Sequence, residues 1–437
     1  MFKIYIYMGM MKKYFEELDK YNAKYGKKVI LLWQCGGFYE VYGLKNKQGI
    51  LEGSNIENFG SICDYVVKEK KTSSTNGKRS QTFKYNGKSY SVTMSGMPVH
   101  GPVENKINKL TSHGYTVALW QQDKKVKDLR EEFGIYSPGT NFSVHETLTN
   151  NTMCVYLEAF EKTFLSKNPR IHCGLSVVDI ISGKTIYYEY NTSYLNESIN
   201  YDEIERFYSI HNPSEIIIIH NFEDVSKLNN MLTFSTINCD AKHILKKGDE
   251  KCMFYDEMEN CTKQTYQLNI LKNYFDTINS DIFFNQYAEK FYGTSSLCFL
   301  LNFIYQHQKK LVYNLYTPIY DNNENHLKLA NHSLKQLNII NNSDSSKKLH
   351  SVLSFLNNCK TPMGKREFAH QLLHPITNSE TLQTEYNIID HLIQNKDTYF
   401  ETVNILRKMN DIDRFFRKII LEVVTPYDIY KFVRDLN

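Results

Sequence analysis

The spacing of apolar residues changes along the chain, and that change limits the folds open to it. Up to about residue 262 the apolar residues come in short runs. Val29–Gln34 (VILLWQ), Tyr115–Trp120 (YTVALW), Met153–Leu157 and Glu215–Ile219 (EIIII) read as buried strands, and Tyr90–Met94 (YSVTM) alternates like a strand with one wet face. Pro102–His113 is a helix, with Val103, Ile107 and Leu110 on one face, and Tyr201–Ile210 is another. From about residue 263 the period is helical throughout. Leu297, Leu300, Leu301, Ile304, Leu311 and Leu315 make a broad stripe along Ser296–Leu315, and Lys347–Leu356 repeats it with Leu349, Val352, Leu353 and Leu356. Thr361-Pro362 and Thr425-Pro426 are helix starts, an N-cap followed by proline at the first helical position, and Asp411–Leu421 is a helix between them.

Such a chain is multidomain, α/β first and all-α after. Ser137-Pro138-Gly139-Thr140 is a turn that closes a first unit, residues 1–143. Ser182-Gly183, between Gly174–Ile181 and Lys184–Tyr190, signals a two-residue hairpin in a second, mixed-sheet unit, residues 144–262. The helical remainder, 263–437, is the third. The helical pattern runs up to Leu436-Asn437 without a cap, so a piece of a longer polypeptide is expected.

Composition excludes little beyond disorder: 41% hydrophobic and 23% charged residues are globular values. Lys plus Arg (52) against Asp plus Glu (48) leaves +4, so any case for nucleic acid must rest on local charge. No apolar run is long enough for a membrane helix, and Met1–Met11 lacks the basic start and cleavage site of a signal peptide. The nine cysteines include no Cys-x-x-Cys and are expected as free thiols, in an intracellular, reducing compartment.

Catalytic signatures are missing. There is no Gly-x-x-x-x-Gly-Lys-Ser/Thr loop and no His-Glu-x-x-His. His100, His113, His172, His211 and His220 do not fall at metal-ligand spacing. No catalytic residue, metal or cofactor is therefore expected. Asp179 with Glu203, Glu205 and Asp240 is the one set that would suit a two-metal nuclease, although a solvated turn and a helix surface explain it as well.

The informative segment is Leu31–Gly43, LLWQCGGFYEVYG. A buried strand runs into Gly36-Gly37 and delivers Phe38-Tyr39-Glu40. In an extended chain Phe38 and Glu40 point to the same side. An exposed ring beside a carboxyl can wedge between base steps while the carboxyl meets a base edge. The insert Lys68–Tyr90 adds Lys68, Lys70, Lys71, Lys78, Arg79, Lys84 and Lys88 against Glu69 alone. It reads either as a solvated loop or as phosphate-contacting surface, with Lys78, Arg79, Lys84 and Lys88 as the backbone contacts.

Gly37-Phe38-Tyr39-Glu40 resembles the Gly-x-Phe-Tyr-Glu element of the mismatch-recognition domain of MutS proteins. Other segments resemble that family in the same order: Ser95-Gly96-Met97-Pro98-Val99-His100, Lys109-Leu110 to Gly114–Ala118 with Gln121-Gln122, and Arg130 before Ser137–Thr140. Gly174–Asp179 with Ser182-Gly183 resembles the start of the family's connector domain. Thr361–Arg366, Leu372–Pro375 and Asp411–Arg414 resemble its core domain. Gly37 stands where the family usually has Asp, a departure expected to loosen the turn.

The resemblance implies a mixed-sheet α/β mismatch-binding domain (1–143), an RNase-H-like α/β connector (144–262) and a truncated helical core and lever (263–437). It implies that Phe38 and Glu40 bind mismatched DNA. It implies double-stranded DNA with mismatches or small loops as partner, a homodimer in the full-length form, and downstream repair proteins. ATP and Mg would belong to a C-terminal ATPase domain of the parent; this chain would bind neither and would not be an enzyme. The alternatives are a MutS-like protein acting on branched DNA and the nuclease around Asp179.

Overall fold

A computed structural model describes residues 2–74, 77–80, 82–123, 125–126, 129–143, 148–160, 168–275, 287–321, 326–327, 331–339 and 351–436. Two mixed sheets carry the first part of the chain, and helices carry the rest.

The first sheet contains β1 (Val29–Cys35), β2 (Phe38–Lys45), β3 (Leu51–Glu52), β4 (Lys68–Glu69), β7 (Thr82–Tyr85), β8 (Lys88–Pro98), β9 (Thr116–Gln122) and β10 (Arg130–Tyr136). Its order is β10-β9-β1-β2-β8-β4, with β3 on β2 and β7 on β8; β5 (Lys71–Ser74) and β6 (Gly77–Ser80) form a separate ribbon. β1 and β9 are parallel and the other pairs antiparallel. Strand alternation divides the core. Leu31, Trp33, Tyr42 and Leu44 face helix α1 (Phe2–Tyr25), which buries Met11, Tyr14, Phe15 and Leu18 against them. Ile30, Leu32, Tyr39 and Val41 face α2 (Ile56–Cys63) and α3 (Val103–Ser112). Helix α1 is not signalled by its opening residues, which are apolar but for Lys3 and show no single apolar face.

The second sheet has the order β15-β14-β11-β12-β13-β16, built from β11 (Asn151–Phe160), β12 (Arg170–Asp179), β13 (Thr185–Ser193), β14 (Glu215–His220), β15 (Ala241–Lys246) and β16 (Ile319–Tyr320). β12 is antiparallel to both neighbours and the remaining pairs are parallel, which is the RNase-H-like arrangement with one extra edge strand. Helices Asp202–His211 and Val225–Phe234 cover one face through Ile204, Phe207 and Met231.

Helix Phe291–His307 covers the other face. The stripe read over Ser296–Leu315 therefore belongs to this sheet's core rather than leading away from it. The helix stops at His307, a 3-10 turn follows over Lys309–Val312, and the chain returns to pair Ile319 with Ile186. The turn after β12 is also longer than the two residues expected. Asp179 N–H donates to the carbonyl of Lys184 (2.9 Å), and Gly183 takes the left-handed φ of 82° that closes the loop.

Beyond residue 350 the described elements are helices. Thr361 caps Pro362–Leu373, its hydroxyl accepting from Gly364 N–H at 3.0 Å, and Thr425 accepts from Asp428 N–H at 3.2 Å before Pro426–Leu436. The Arg366 fork donates to both oxygens of Asp411 (2.7 Å each) and to Asp413 (2.8 Å), tying Pro362–Leu373 to Ile412–Ile420. Among the described residues no helix is long and apolar enough to cross a membrane.

Candidate nucleic-acid interface

β1 and β2, two interior strands of the first sheet, meet at Gly36-Gly37, at one end of the strands. Gly36 has a φ of 58°, which glycine adopts without steric cost. The turn is nevertheless held on several sides. Gly36 N–H donates to Gln122 Oε1 (3.0 Å), Gln122 N–H donates to Gln34 Oε1 (2.9 Å), and Arg130 Nε donates to the Gln34 carbonyl (2.7 Å). Val99 N–H donates to the Gly37 carbonyl (2.9 Å). These tethers surround the turn in which glycine stands at position 37.

Phe38 is the first residue of β2, paired with Cys35 and Pro98, and the residue is 51% exposed. Tyr39 turns into the core beside α2 and α3, and Glu40 returns to the face of Phe38. The Glu40 side chain is only 13% exposed. Its Oε2 accepts from the Tyr42 hydroxyl and from Lys70 Nζ at 3.2 Å. Lys70 Nζ also lies 5.0 Å from the centre of the Tyr42 ring, a cation–π contact. Behind them Trp33 stacks on Trp120 at 5.0 Å, and the Arg130 guanidinium lies 5.7 Å from the Trp33 ring. The Tyr14 hydroxyl donates to the Leu31 carbonyl and accepts from Tyr42 N–H, both at 3.2 Å, so it bridges β1 and β2 where they splay. Burial pushes the Cys35 thiol up.

The arrangement presents an apolar ring beside a held carboxyl on a rigid strand end. The other sequence candidates lie elsewhere. Lys84 and Lys88 are exposed at the far end of the β7–β8 pair. Lys88 opens the eleven-residue strand β8 that closes with Pro98 beside Phe38. At the usual rise per residue that is about 33 Å away. The side chains of Lys78 and Arg79 lie outside the described residues. Lys70 belongs to the same basic insert but is the cation that reaches Glu40; a separation of 30 positions hid this partnership in the sequence.

The carboxylate set around Asp179 does not form a metal site. Asp179 accepts from the backbone N–H groups of Asn150 (2.9 Å), Ile181 (3.1 Å) and Ser182 (3.3 Å) and from the Ser182 hydroxyl (2.6 Å). It organises the turn, and burial pushes its carboxyl up against those bonds. Glu203 is bound to Arg206 at 2.8 Å and Glu205 to Thr236 at 2.8 Å. Among the described residues no group of three His, Cys, Asp or Glu is placed to hold a metal ion. The nuclease reading is not favoured. The Gly36-Gly37 turn leads into a strand and not into a helix N-terminus.

Residues 332–437 match the family model described as MutS domain III. A DNA mismatch repair MutS homolog of Acanthamoeba polyphaga mimivirus is 28% identical over 95% of this chain and 37% of its own length. The DNA mismatch repair protein MutS of Clostridioides difficile is 26% identical over 96% of the chain and 38% of its own length. That of Caldanaerobacter subterraneus is 24% identical over 96% of the chain and 42% of its own length. The chain is MutS-like along its length. It spans about two fifths of the length of these curated relatives. In this MutS-like chain the matched helical segment includes the Arg366–Asp411–Asp413 tie, and the Phe38–Glu40 strand end lies in the part covered by the likeness to MutS proteins.

Proposed function

We propose that this chain binds duplex DNA at mispaired or looped steps, as part of a mismatch-repair protein, with Phe38 as the wedge and Glu40 as the group that meets a base edge. The observation that carries the reading is the exposed Phe38, 51% accessible, at a tethered strand end, with the Glu40 carboxyl on the same face. A mispaired base is poorly stacked, so displacing it costs less than displacing a base in a proper pair. An aromatic wedge in the minor groove unstacks a step at a cost of a few kcal/mol and kinks the duplex by roughly 20–90°. Soft steps lower that cost, and discrimination then follows deformability more than base identity.

Residues 1–143 would do the reading. The second sheet, with Phe291–His307 and β16 packed onto it, would act as connector, so this unit extends past the expected limit at residue 262, and the helices beyond residue 350 would begin the core and lever. ATP binding, Mg, dimerisation and contacts with further repair proteins would belong to a longer polypeptide of the relatives' size.

The test is Phe38→Ala. The variant is expected to keep its affinity for matched duplex and to lose its preference for mismatched over matched duplex in a competition gel that also contains a four-way junction. Undiminished preference in a folded variant refutes the assignment; tighter binding to the junction than to any mismatch would favour branched DNA.

A further inference from the structure

From the contacts around Glu40 we infer that Lys70 is a positioning residue for the base-reading carboxyl rather than a phosphate contact. The inference rests on the reading of Phe38 and Glu40 given above.

Lys70 lies in a basic insert, and its sequence context suggests a solvated cation. The structure gives it a fixed place. Its backbone N–H donates to the Val92 carbonyl at 2.8 Å, seating it on the edge of β8. Its ammonium lies 5.0 Å from the centre of the wholly buried Tyr42 ring and 3.2 Å from Glu40 Oε2, and its side chain is 22% exposed. Tyr42 Oη donates to the same carboxyl oxygen. Both described bonds fall on Oε2, which leaves Oε1 for a base edge.

The physical consequence is twofold. A carboxylate this far from water needs a partner, and Lys70 supplies a charged one while Tyr42 fixes the torsion. An unpaired carboxylate would also repel the phosphates it must approach. Paired with Lys70, it carries no net charge toward the duplex, so the wedge can enter without that penalty. Lys70 would thus matter only in the inserted complex, where Glu40 reaches the bases. A phosphate contact would matter equally on any duplex.

The experiment measures affinity for matched and mismatched duplex as a function of salt, using the full chain. The variants are Lys70→Met, Lys70→Arg, Glu40→Gln and the double variant Lys70→Met/Glu40→Gln. Lys70→Met is expected to lower mismatch preference about tenfold, as truncating one member of a half-buried pair does, with matched affinity and salt slope unchanged. Lys70→Arg should restore most of the preference. In the Glu40→Gln background Lys70→Met should have no further effect, because a residue acting through Glu40 has nothing left to act on.

An equal loss on both duplexes, with the salt slope reduced by about one, would make Lys70 a phosphate contact and overturn the inference. Additive losses in the double variant would overturn it too. Phe38→Ala separates the layers. If Phe38→Ala leaves preference intact, the underlying reading fails; if it abolishes preference while Lys70→Met does not change it, only the role of Lys70 fails. Thermal unfolding of each variant confirms that folded protein is compared.

Discussion

Gly96 sits directly across the β2–β8 ladder from Glu40, and a Cβ built there would lie 2.8 Å from the Tyr39 carbonyl and 3.5 Å from the Glu40 Cα. The neighbouring atoms are backbone and cannot swing aside. Glycine at this position lets β8 pass close under the segment that carries Phe38 and Glu40. Gly96→Ala is therefore expected to destabilise the chain by about 1–3 kcal/mol, the usual cost of overpacking. The displaced backbone is that of Tyr39 and Glu40, so mismatch preference should fall with it. Urea unfolding and the duplex competition measure the two effects separately. An alanine variant as stable and as selective as the parent would show that the close approach is not needed.

Helix Phe291–His307 meets the second sheet through another glycine. A Cβ on Gly174 would fall 1.9 Å from the Tyr292 carbonyl oxygen, so helix backbone and strand backbone are in direct contact. Glu189 on β13 reaches the same helix start, its Oε2 accepting from Tyr292 N–H (3.0 Å) and Gly293 N–H (3.1 Å), where the unpaired amides of a helix N-terminus favour a carboxylate. Ser296 donates to the Cys154 carbonyl at 2.9 Å one turn later. Gly174→Ala must lift this end of the helix off the sheet, with a predicted loss of about 3 kcal/mol or more. Hydrogen exchange should show the first turns of Phe291–His307 deprotected before the rest of the second sheet. Uniform protection in the variant would contradict this packing.

At the scale of the molecule, the two sheets are joined through α1 and through the Ser137–Thr140 turn. Tyr25, in the last turn of α1, packs edge-on against His243, Phe254, Phe303 and His307. Gly139 N–H (3.1 Å) and the Ser137 hydroxyl donate to Glu215, which His243 Nε2 also contacts at 2.7 Å. Burial pushes the Glu215 carboxyl up, but the His243 bond and charge, with His307 and Ser137, more than reverse this and hold it below the usual carboxylate range.

Acid acts on the buried histidines. Burial lowers His220, His307 and His374 to about 4, with Lys246 adding to the effect at His220 and His370 at His374. A folded value below the unfolded one means that the unfolded chain binds more protons as pH falls. These groups therefore leave stability intact above about pH 6.5 and erode it as pH falls from there toward 4. Each is worth on the order of 1–2 kcal/mol at pH 5. Thermal melts are expected to shift downward between pH 7 and pH 5, and His374→Gln should flatten that dependence. A melting temperature constant over this range would contradict the burial of these imidazoles.

What depends on near neighbours is legible in the order of residues alone. Strand alternation puts Phe38 and Glu40 on one face, the Thr-Pro pairs start their helices, and Ile216–Ile219, apolar throughout, is buried on both sides of its strand. The order of the quoted motifs was likewise enough for the family likeness. Which distant groups meet is a property of the folded chain. The fold brought Lys70 to Glu40 across β8, sent Lys84 and Lys88 to the opposite end of the sheet, and laid Phe291–His307 over β11 and β12. It also turned Asp179 from a candidate metal ligand into the anchor of a turn. The reason is physical: a local pattern fixes the direction of a side chain, whereas its partner is set by strand register and by helix–sheet packing, which are long-range properties of the whole core.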